Sequence, residues 1–457
     1  MSKVRWLVAL WIAKLIRRII KIFNFSGGTA LPGLIALKID ANFVIQAAKK
    51  LDYSIIITGT NGKTTTSRMI SEILSKDSIK VLHNRAGSNL KRGIASTITE
   101  KAGFFGKLPQ AVGLWEVDEA VMPELVLEIQ PKILIVLNLF RDQLDRYGEV
   151  ETIRKKWQKG VENLSQDSTL VLNALDPSVA SLEKNAKAKV ISFGLSDLNQ
   201  LQTQVARAAD QIFCPMCLQK LDYEKVYLSH AGIYQCIKCG FKTPVLDFWA
   251  ENISFSAMSS HFTIKRQSLE KNINLQIGGL YNILNAVAAF SVGKILNIDS
   301  DKIKEALNGF EAAFGRMEKI KVGNNFIYFY LIKNPTGANE VIRTLFKDPE
   351  SKNVLLALND KIADGTDVSW IWDVEFEKLV GKTEKLIITG IRAYDLALRL
   401  KYAGLDKPNL ITTDFKKAIK ETFVLKKDFY YLPTYTAMLD LRSKLTKTLG
   451  KKQFWEE

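Results

Sequence analysis

Ser54-Ile-Ile-Ile-Thr-Gly-Thr-Asn-Gly-Lys-Thr-Thr-Thr66 reads as a short apolar strand that runs into a glycine-bounded loop and then into a hydroxyl-rich helix start. Such a loop cradles nucleotide phosphates. Gly59 and Gly62 let backbone N–H groups crowd the phosphates, Lys63 reaches the terminal ones, and Thr64 can ligate Mg²⁺ at the positively polarised start of a helix. The spacing is compact: the residue five before Gly62 is Ile57, inside the strand, so the loop is not the usual G-x-x-x-x-G-K-[ST]. Gly59, Thr60, Asn61, Gly62, Lys63, Thr64 and Thr65 form the candidate phosphate-binding set.

Downstream, a helix is expected over Thr64–Ser75, a strand over Lys80–His83, and then the Gly- and Asn-rich loop Asn84–Gly93, polar enough to touch phosphate or substrate. Ala111-Val-Gly-Leu-Trp-Glu-Val-Asp-Glu-Ala120 reads as a buried strand ending in carboxylates, and Ile133–Leu137 as another. Strands alternating with helices predict a mostly parallel sheet with its ligand site at the strands' carboxyl ends. Glu116 then stands where a Mg²⁺ ligand is needed, the plainer alternative being a helix cap.

At 457 residues, 47% of them hydrophobic, the chain has room for two or three domains. A net charge of +16 favours an anionic partner without choosing among nucleotide, membrane, anionic substrate and nucleic acid. The four cysteines form two C-x-x-C pairs, Cys214-Pro-Met-Cys217 and Cys236-Ile-Lys-Cys239, eighteen residues apart. That is the spacing of a closed, structural Cys₄ zinc ribbon, and it points to a reducing compartment.

Near the start, Trp6–Ala13 is too short to span a bilayer, and Lys14, Arg17, Arg18 and Lys21 follow it with no small-residue cleavage site. Two readings stand: an amphipathic helix on an anionic membrane with Trp6 and Trp11 near the interface, or a helix docked on the protein's own core. Ser26–Gly33 reads as a linker from this helix to the rest of the chain.

The Gly-Thr-Asn-Gly-Lys-Thr loop, Glu116, Asn138 with Asp142-Gln-Leu-Asp145, Gly279-Leu-Tyr-Asn-Ile-Leu-Asn285 and Gly315-Arg-Met-Glu318 occur in an order that resembles the Mur ligases, over residues 40–320. These enzymes form amide bonds through an acyl phosphate. The resemblance implies that Lys63, Thr64 and Glu116 hold ATP and Mg²⁺, that Asn282 and Asn285 flank the adenine, and that Arg316 contacts ribose or phosphates. Read on their own, Asn282 and Asn285 are two polar residues capping a helix. Three departures mark a divergent branch: Gln143 and Tyr281 stand where histidine is common, and Trp157 stands where a carbamylated lysine would follow.

The ribbon, together with Leu331-Ile-Lys-Asn-Pro-Thr-Gly-Ala-Asn339, the segment Asn359–Asp373 and Gly390-Ile-Arg-Ala-Tyr-Asp395, looks like the amidating branch of that superfamily over nearly the whole chain. The resemblance implies a cytoplasmic heterodimer with a GatD-type glutaminase that supplies ammonia. The substrate would be lipid II, amidated at the second residue of its stem peptide. A glutaminase needs a reactive cysteine with a histidine, and all four cysteines are assigned to zinc, so that activity belongs on another chain. The branch further implies that an aspartate here completes the partner's site: Asp367, with Asp360, Asp364 and Asp373 as rivals. Asn334 and Arg85 are candidate substrate or phosphate contacts.

The expected architecture is α/β. A basic amphipathic helix and linker occupy 1–35, and a Mur ligase-type central P-loop ATPase domain occupies 36–315, with the ribbon inserted near 206–245. A C-terminal Rossmann-like domain occupies 316–457, with strands Asn353–Leu358 and Lys385–Thr389 flanking a helical Val374–Val380 stretch. Two other functions remain open. A stand-alone amino-acid ligase resembling folylpolyglutamate synthetase would need no partner. A zinc-ribbon ATPase binding nucleic acid would show basic and aromatic residues clustered on the ribbon, whereas Gln219–His230 carries mixed charge.

Overall fold

The computed structural model describes residues 2–23, 30–84, 88–108, 112–142, 150–201, 205, 209–311 and 316–449. Among them the chain forms two large sheets and one small one. The first sheet begins with β1 (Tyr53–Thr58), β2 (Val81–His83), β3 (Val112–Glu116), β4 (Ile133–Val136), β5 (Thr169–Asn173) and β6 (Lys189–Leu195). The small sheet is the hairpin β7 (Asp222–Leu228) and β8 (Ala231–Gln235). The chain then rejoins the first sheet as β9 (Phe248–Phe255), β10 (Ser260–Arg266) and β11 (Leu269–Leu275).

The order across this sheet is β11-β10-β9-β6-β5-β4-β1-β3-β2, parallel from β9 to β2 and antiparallel at β10 and β11. From β1 the chain moves to one side for β2 and β3 and returns past it for β4 to β6. This reversal opens a crevice at the carboxyl end of β1. Strand β1 is an unbroken apolar run because both of its faces are covered. Ile55 and Ile57 face one core with Met69, Ile73 and Val287, while Ile56 faces the other with Trp115, Leu134 and Trp157.

The second sheet has the order β12-β13-β17-β14-β15-β16, with β12 (Arg316–Val322), β13 (Asn325–Tyr330), β14 (Lys352–Ala357), β15 (Thr383–Thr389), β16 (Leu410–Thr412) and β17 (Phe429–Pro433). It is parallel except for the β12–β13 hairpin.

Three local expectations are corrected. The helical stretch proposed for Val374–Val380 is instead a single 3₁₀ turn, Phe376–Leu379, which follows another at Ser369–Asp373. The proposed linker is partly helix: Leu31–Ile39 starts with Pro32 and Gly33, and a Cβ on Gly33 would lie 1.9 Å from the Arg92 carbonyl oxygen, so close helix packing holds that glycine. Residues 24–29 lie outside the described residues. Finally, Trp6 is not at an interface. It is buried, stacks on Phe43 at 5.0 Å and donates to the Phe43 carbonyl at 2.9 Å, so helix Ser2–Ile22 is docked on the body while Trp11 stays exposed. No helix among the described residues is long and apolar enough to cross a membrane.

Candidate active site

The crevice at the end of β1 is a cavity of about 450 Å³, walled by the phosphate loop, the start of helix Leu280–Ile295 and residues 331–341 of the chain after β13. The loop's backbone depends on its glycines. Gly62 adopts φ 88°, and a Cβ there would stand 2.3 Å from Asn285 Oδ1. Gly62→Ala is therefore expected to cost about 1–3 kcal/mol through left-handed strain alone. It should also displace Asn285, so calorimetry should show weakened ADP binding alongside the lowered urea midpoint.

Asn138 fixes the loop from the adjacent strand end: its Oδ1 accepts from Asn61 N–H at 2.8 Å and its Nδ2 donates to the Asn61 carbonyl at 3.0 Å. Thr60 Oγ1 donates to the Phe140 carbonyl at 3.1 Å.

Lys63 lies buried in this loop. Its ammonium donates to the Gly59 carbonyl and pairs with Glu119 Oε2 at 3.0 Å. Burial opposes its charge, but Glu119, Glu116 and Asp118 outweigh that desolvation and hold its proton more tightly than usual. Burial also pushes the Glu119 carboxyl up, against Lys63 and Lys333. Beside it, Thr64 Oγ1 donates to Glu116 Oε1 at 2.8 Å, while Glu116 Oε2 is buried with no hydrogen-bond partner. Asn84 holds Glu116 in place by accepting from its N–H at 2.8 Å and donating to its carbonyl at 2.8 Å. A hydroxyl and a carboxylate with one orphaned oxygen, beside the Lys63 ammonium, are a donor set that suits Mg²⁺.

The second sheet's domain closes the site. Asn334 caps the helix Pro335–Leu345 through Gly337 N–H, and its amide exchanges hydrogen bonds with Asn61 at 3.2 and 3.4 Å. Lys333 pairs with Asp142 and donates to the Thr60 carbonyl at 3.1 Å. Lys333 is 273 residues away from Thr60 in sequence, so sequence reading missed it. Glu119 and Asp118 lay within the carboxylate run after Glu116, and that run was the available signal.

Asn282 and Asn285 both line the cavity on one helix, with Asn282 Nδ2 donating to the Gly278 carbonyl at 2.6 Å. Tyr281 also lines it. Arg316 opens β12, but its side chain, with Arg85, Gln143 and Asp145, lies outside the described residues. Trp157 is buried and donates to the Glu119 carbonyl at 2.8 Å, so an indole occupies the place where a carbamylated lysine was considered.

The four aspartates occupy different environments. Asp364 is buried and accepts from Thr436 N–H at 2.7 Å. Asp360 pairs with Arg392 at 3.0 Å and Asp373 with Arg141 at 3.1 Å. Asp367 is exposed, and among the described residues its partners are Ser369 N–H and Oγ, at 2.8 and 3.0 Å.

At the insertion, the four cysteine sulfurs lie within 4.8 Å of one another, with Cys214···Cys239 at 3.6 Å and Cys217···Cys236 at 3.5 Å. A tetrahedral zinc with Zn–S bonds of about 2.3 Å needs sulfur separations of about 3.8 Å, and the set fits. The Cys239 N–H pulls the Cys236 thiol down to about 7, whereas burial pushes Cys214 up to about 12. The ribbon's far end reaches the cavity, where Leu228 and Ala231 form part of the wall.

Known proteins share this organisation. Residues 57–215 match the Mur ligase middle domain family and residues 331–438 the MurT ligase C-terminal family. The chain is 32% identical to the MurT subunit of lipid II isoglutaminyl synthase (glutamine-hydrolyzing) from Staphylococcus aureus strain COL, covering 96% of this chain and 98% of that one. It is 34% identical to the corresponding Streptococcus pneumoniae subunit, covering 92% of each. Its fold is similar to that of the MurF ligase from Thermotoga maritima in complex with ADP, with a TM-score of 0.64, 13% identity and coverage of 91% of this chain and 84% of that one.

Proposed function

The chain belongs to the MurT family of Mur ligase-like proteins, and from that premise we propose that it is the synthetase subunit of a lipid II isoglutaminyl synthase, an ATP-dependent carbon–nitrogen ligase of peptidoglycan synthesis. The observation that carries the reading is the cavity at the end of β1, where Lys63, Thr64 and Glu116 meet Lys333, with Asn334 bonded to Asn61 of the loop. Its substrates would be ATP and the α-carboxylate of the D-isoglutamyl residue of the lipid II stem. Ammonia would come from a GatD-type glutaminase in a cytoplasmic heterodimer. We divide the chain at residue 315, in keeping with the two large sheets, whereas the boundary expected at 35 falls inside helix Leu31–Ile39.

In this mechanism the backbone N–H groups of the loop and Lys63 hold the triphosphate, with Asn282 and Asn285 beside the base and Arg316 near ribose or phosphate. Thr64 and Glu116 would hold Mg²⁺, which would supply charge neutralisation for the phosphoryl transfer. The substrate carboxylate attacks the γ-phosphorus in line, and ADP leaves. The resulting acyl phosphate is attacked by the lone pair of ammonia. The tetrahedral adduct loses a proton and expels phosphate, leaving the carboxamide. Closure of the site by Asn334 and Lys333 over the loop keeps out water, which would otherwise hydrolyse the mixed anhydride. The four cysteines would hold zinc, which would stabilise the ribbon and take no part in these steps.

Asp367 is our choice for the aspartate that completes the partner's glutaminase site, because its rivals are spent on Thr436, Arg392 or Arg141. The test incubates the protein with lipid II, Mg·ATP and ammonium, with and without the glutaminase and glutamine, and reads carboxamide formation by mass. Asp367→Asn should lose about 10⁴-fold of the glutamine-dependent rate while keeping the ammonium-dependent rate and the stability. Asp364→Asn should instead lose about 1–3 kcal/mol of stability through its buried bonds to Thr436. Amidation absent in both arms would sink the assignment and promote a stand-alone amino-acid ligase.

A further inference from the structure

We infer that one face of the molecule, built from helix Ser2–Ile22 and the turn Gly103–Gly106, is a docking surface for an anionic lipid bilayer. The helix carries two apolar faces. Trp6, Ala9, Leu10 and Ala13 are buried against the body, which accounts for one of them. The other is left uncovered: Val4, Val8, Trp11, Leu15, Ile19 and Ile22 follow one another at steps of four, three, four, four and three, which makes a single stripe down the opposite side. Leu15 is 58% exposed and Ile22 77% exposed, where a helix docked on one side would place polar residues.

The turn extends the stripe. Phe104 stacks on Trp11 at 5.3 Å, and its carbonyl accepts from Trp11 Nε1 at 2.8 Å, so the helix and the turn are fixed to one another. Phe105, in edge contact with Phe104, stands out at 86% exposure. The bonds from Gly103 N–H to the Lys107 carbonyl and from Gly106 N–H to the Gly103 carbonyl hold the turn in shape. The surface is thus prebuilt and projecting, which suits insertion among headgroups and acyl chains.

Charge selects the occupant. The helix holds six basic residues, Lys3, Arg5, Lys14, Arg17, Arg18 and Lys21, and no acidic one. Lys101 and Lys107, both exposed, flank the aromatic turn. Arg17 pairs with Glu100 at 2.9 Å, leaving the excess strongly positive. An apolar stripe edged by lysine and arginine matches anionic phospholipid, where each basic group near the surface adds to the attraction. The inference rests on this geometry and not on the amidation reaction, so vesicle binding is read without lipid II or the glutaminase.

The full chain is sedimented with vesicles of phosphatidylglycerol mixed with phosphatidylcholine, and with phosphatidylcholine alone. Binding to the mixed vesicles is expected, weakened by salt and weak on the neutral ones. Leu15→Ser/Ile19→Ser and Phe104→Ser/Phe105→Ser should each lower partitioning about tenfold or more. Arg18→Glu/Lys21→Glu should lower it on mixed vesicles only. Unchanged unfolding temperatures show that these exposed substitutions leave the fold intact. Absence of binding to mixed vesicles, or binding indifferent to the apolar substitutions, overturns the inference. In that case, a dimer in light scattering that the same substitutions dissolve would assign the stripe to a second copy. Protection of the stripe from deuterium exchange only when the glutaminase is added would assign it to that partner.

Discussion

Lys63→Ala is expected to lower ammonium-dependent amidation by about 10²–10³-fold, the usual consequence of deleting one charged donor from a phosphoryl-transfer site. The ammonium occupies the middle of the loop, against the Gly59 carbonyl and Glu119. A bound triphosphate would take over these contacts. Removing the lysine leaves Glu119 buried beside Asp118 and Asp142 with only Lys333 to offset it. Burial already favours the protonated form of Glu119, so the variant is expected to remain folded, at a cost of about 1–3 kcal/mol. The double variant Lys63→Ala/Glu119→Gln should recover much of that stability and none of the rate. This split between the urea midpoint and the turnover separates a catalytic lysine from a structural one. Lys63→Ala with a rate within about threefold of the parent, far short of that loss, would remove the phosphate-loop reading.

Cys214→Ser is expected to have the second large effect, by breaking the ligand set proposed for zinc. The ribbon's own buried cluster is small: Cys214, Leu221, Tyr234 and Cys236 pack with Ala180 of the surrounding domain. So few residues cannot replace a metal contribution on the order of 10 kcal/mol, as found for small zinc modules. Cys214→Ser should take zinc content from one ion per chain to none by mass spectrometry and make the ribbon segment cleavable by trypsin. The large sheets should keep their cooperative unfolding. ADP affinity should fall too, because Leu228 and Ala231 at the end of the ribbon hairpin wall the cavity, and Arg343 of the second sheet's domain donates to the Tyr227 carbonyl at 2.6 Å. A zinc-free protein with a protease-resistant ribbon and unchanged ADP affinity would refute this coupling.

Much of the site was legible because its parts are local. The loop's glycines, its lysine and its threonine lie within a few residues, where backbone sterics and the helix start dictate the residue types. The two C-x-x-C knuckles were readable for the same reason, since ligand spacing is fixed by the tetrahedron. The first helix was harder. Periodicity showed an amphipathic segment but could not say that Trp6 turns inward onto Phe43 while Trp11 turns outward onto Phe104. Both are tryptophans on an apolar helix, and only the neighbouring elements distinguish them. The 3₁₀ turn at Phe376–Leu379 fell to the same limit, because a short apolar run does not specify hydrogen-bond register.

By itself, then, the sequence determined the chemistry carried on contiguous segments: an apolar strand feeding a phosphate loop, a carboxylate at the end of a second strand, and four thiols spaced for one metal. The tertiary structure decided which distant groups share the cavity. Lys333 reaches Asp142 and the Thr60 carbonyl, Asn334 locks onto Asn61, and Trp157 supports the Glu119 carbonyl, pairings set by how the two sheets pack. It also sorted four similar aspartates into one buried cap, two ion-paired carboxylates and one exposed group. The physical reason is the range of the forces: local sterics and ligand spacing act within a few residues, whereas burial and pairing depend on surfaces that meet only when the chain has folded.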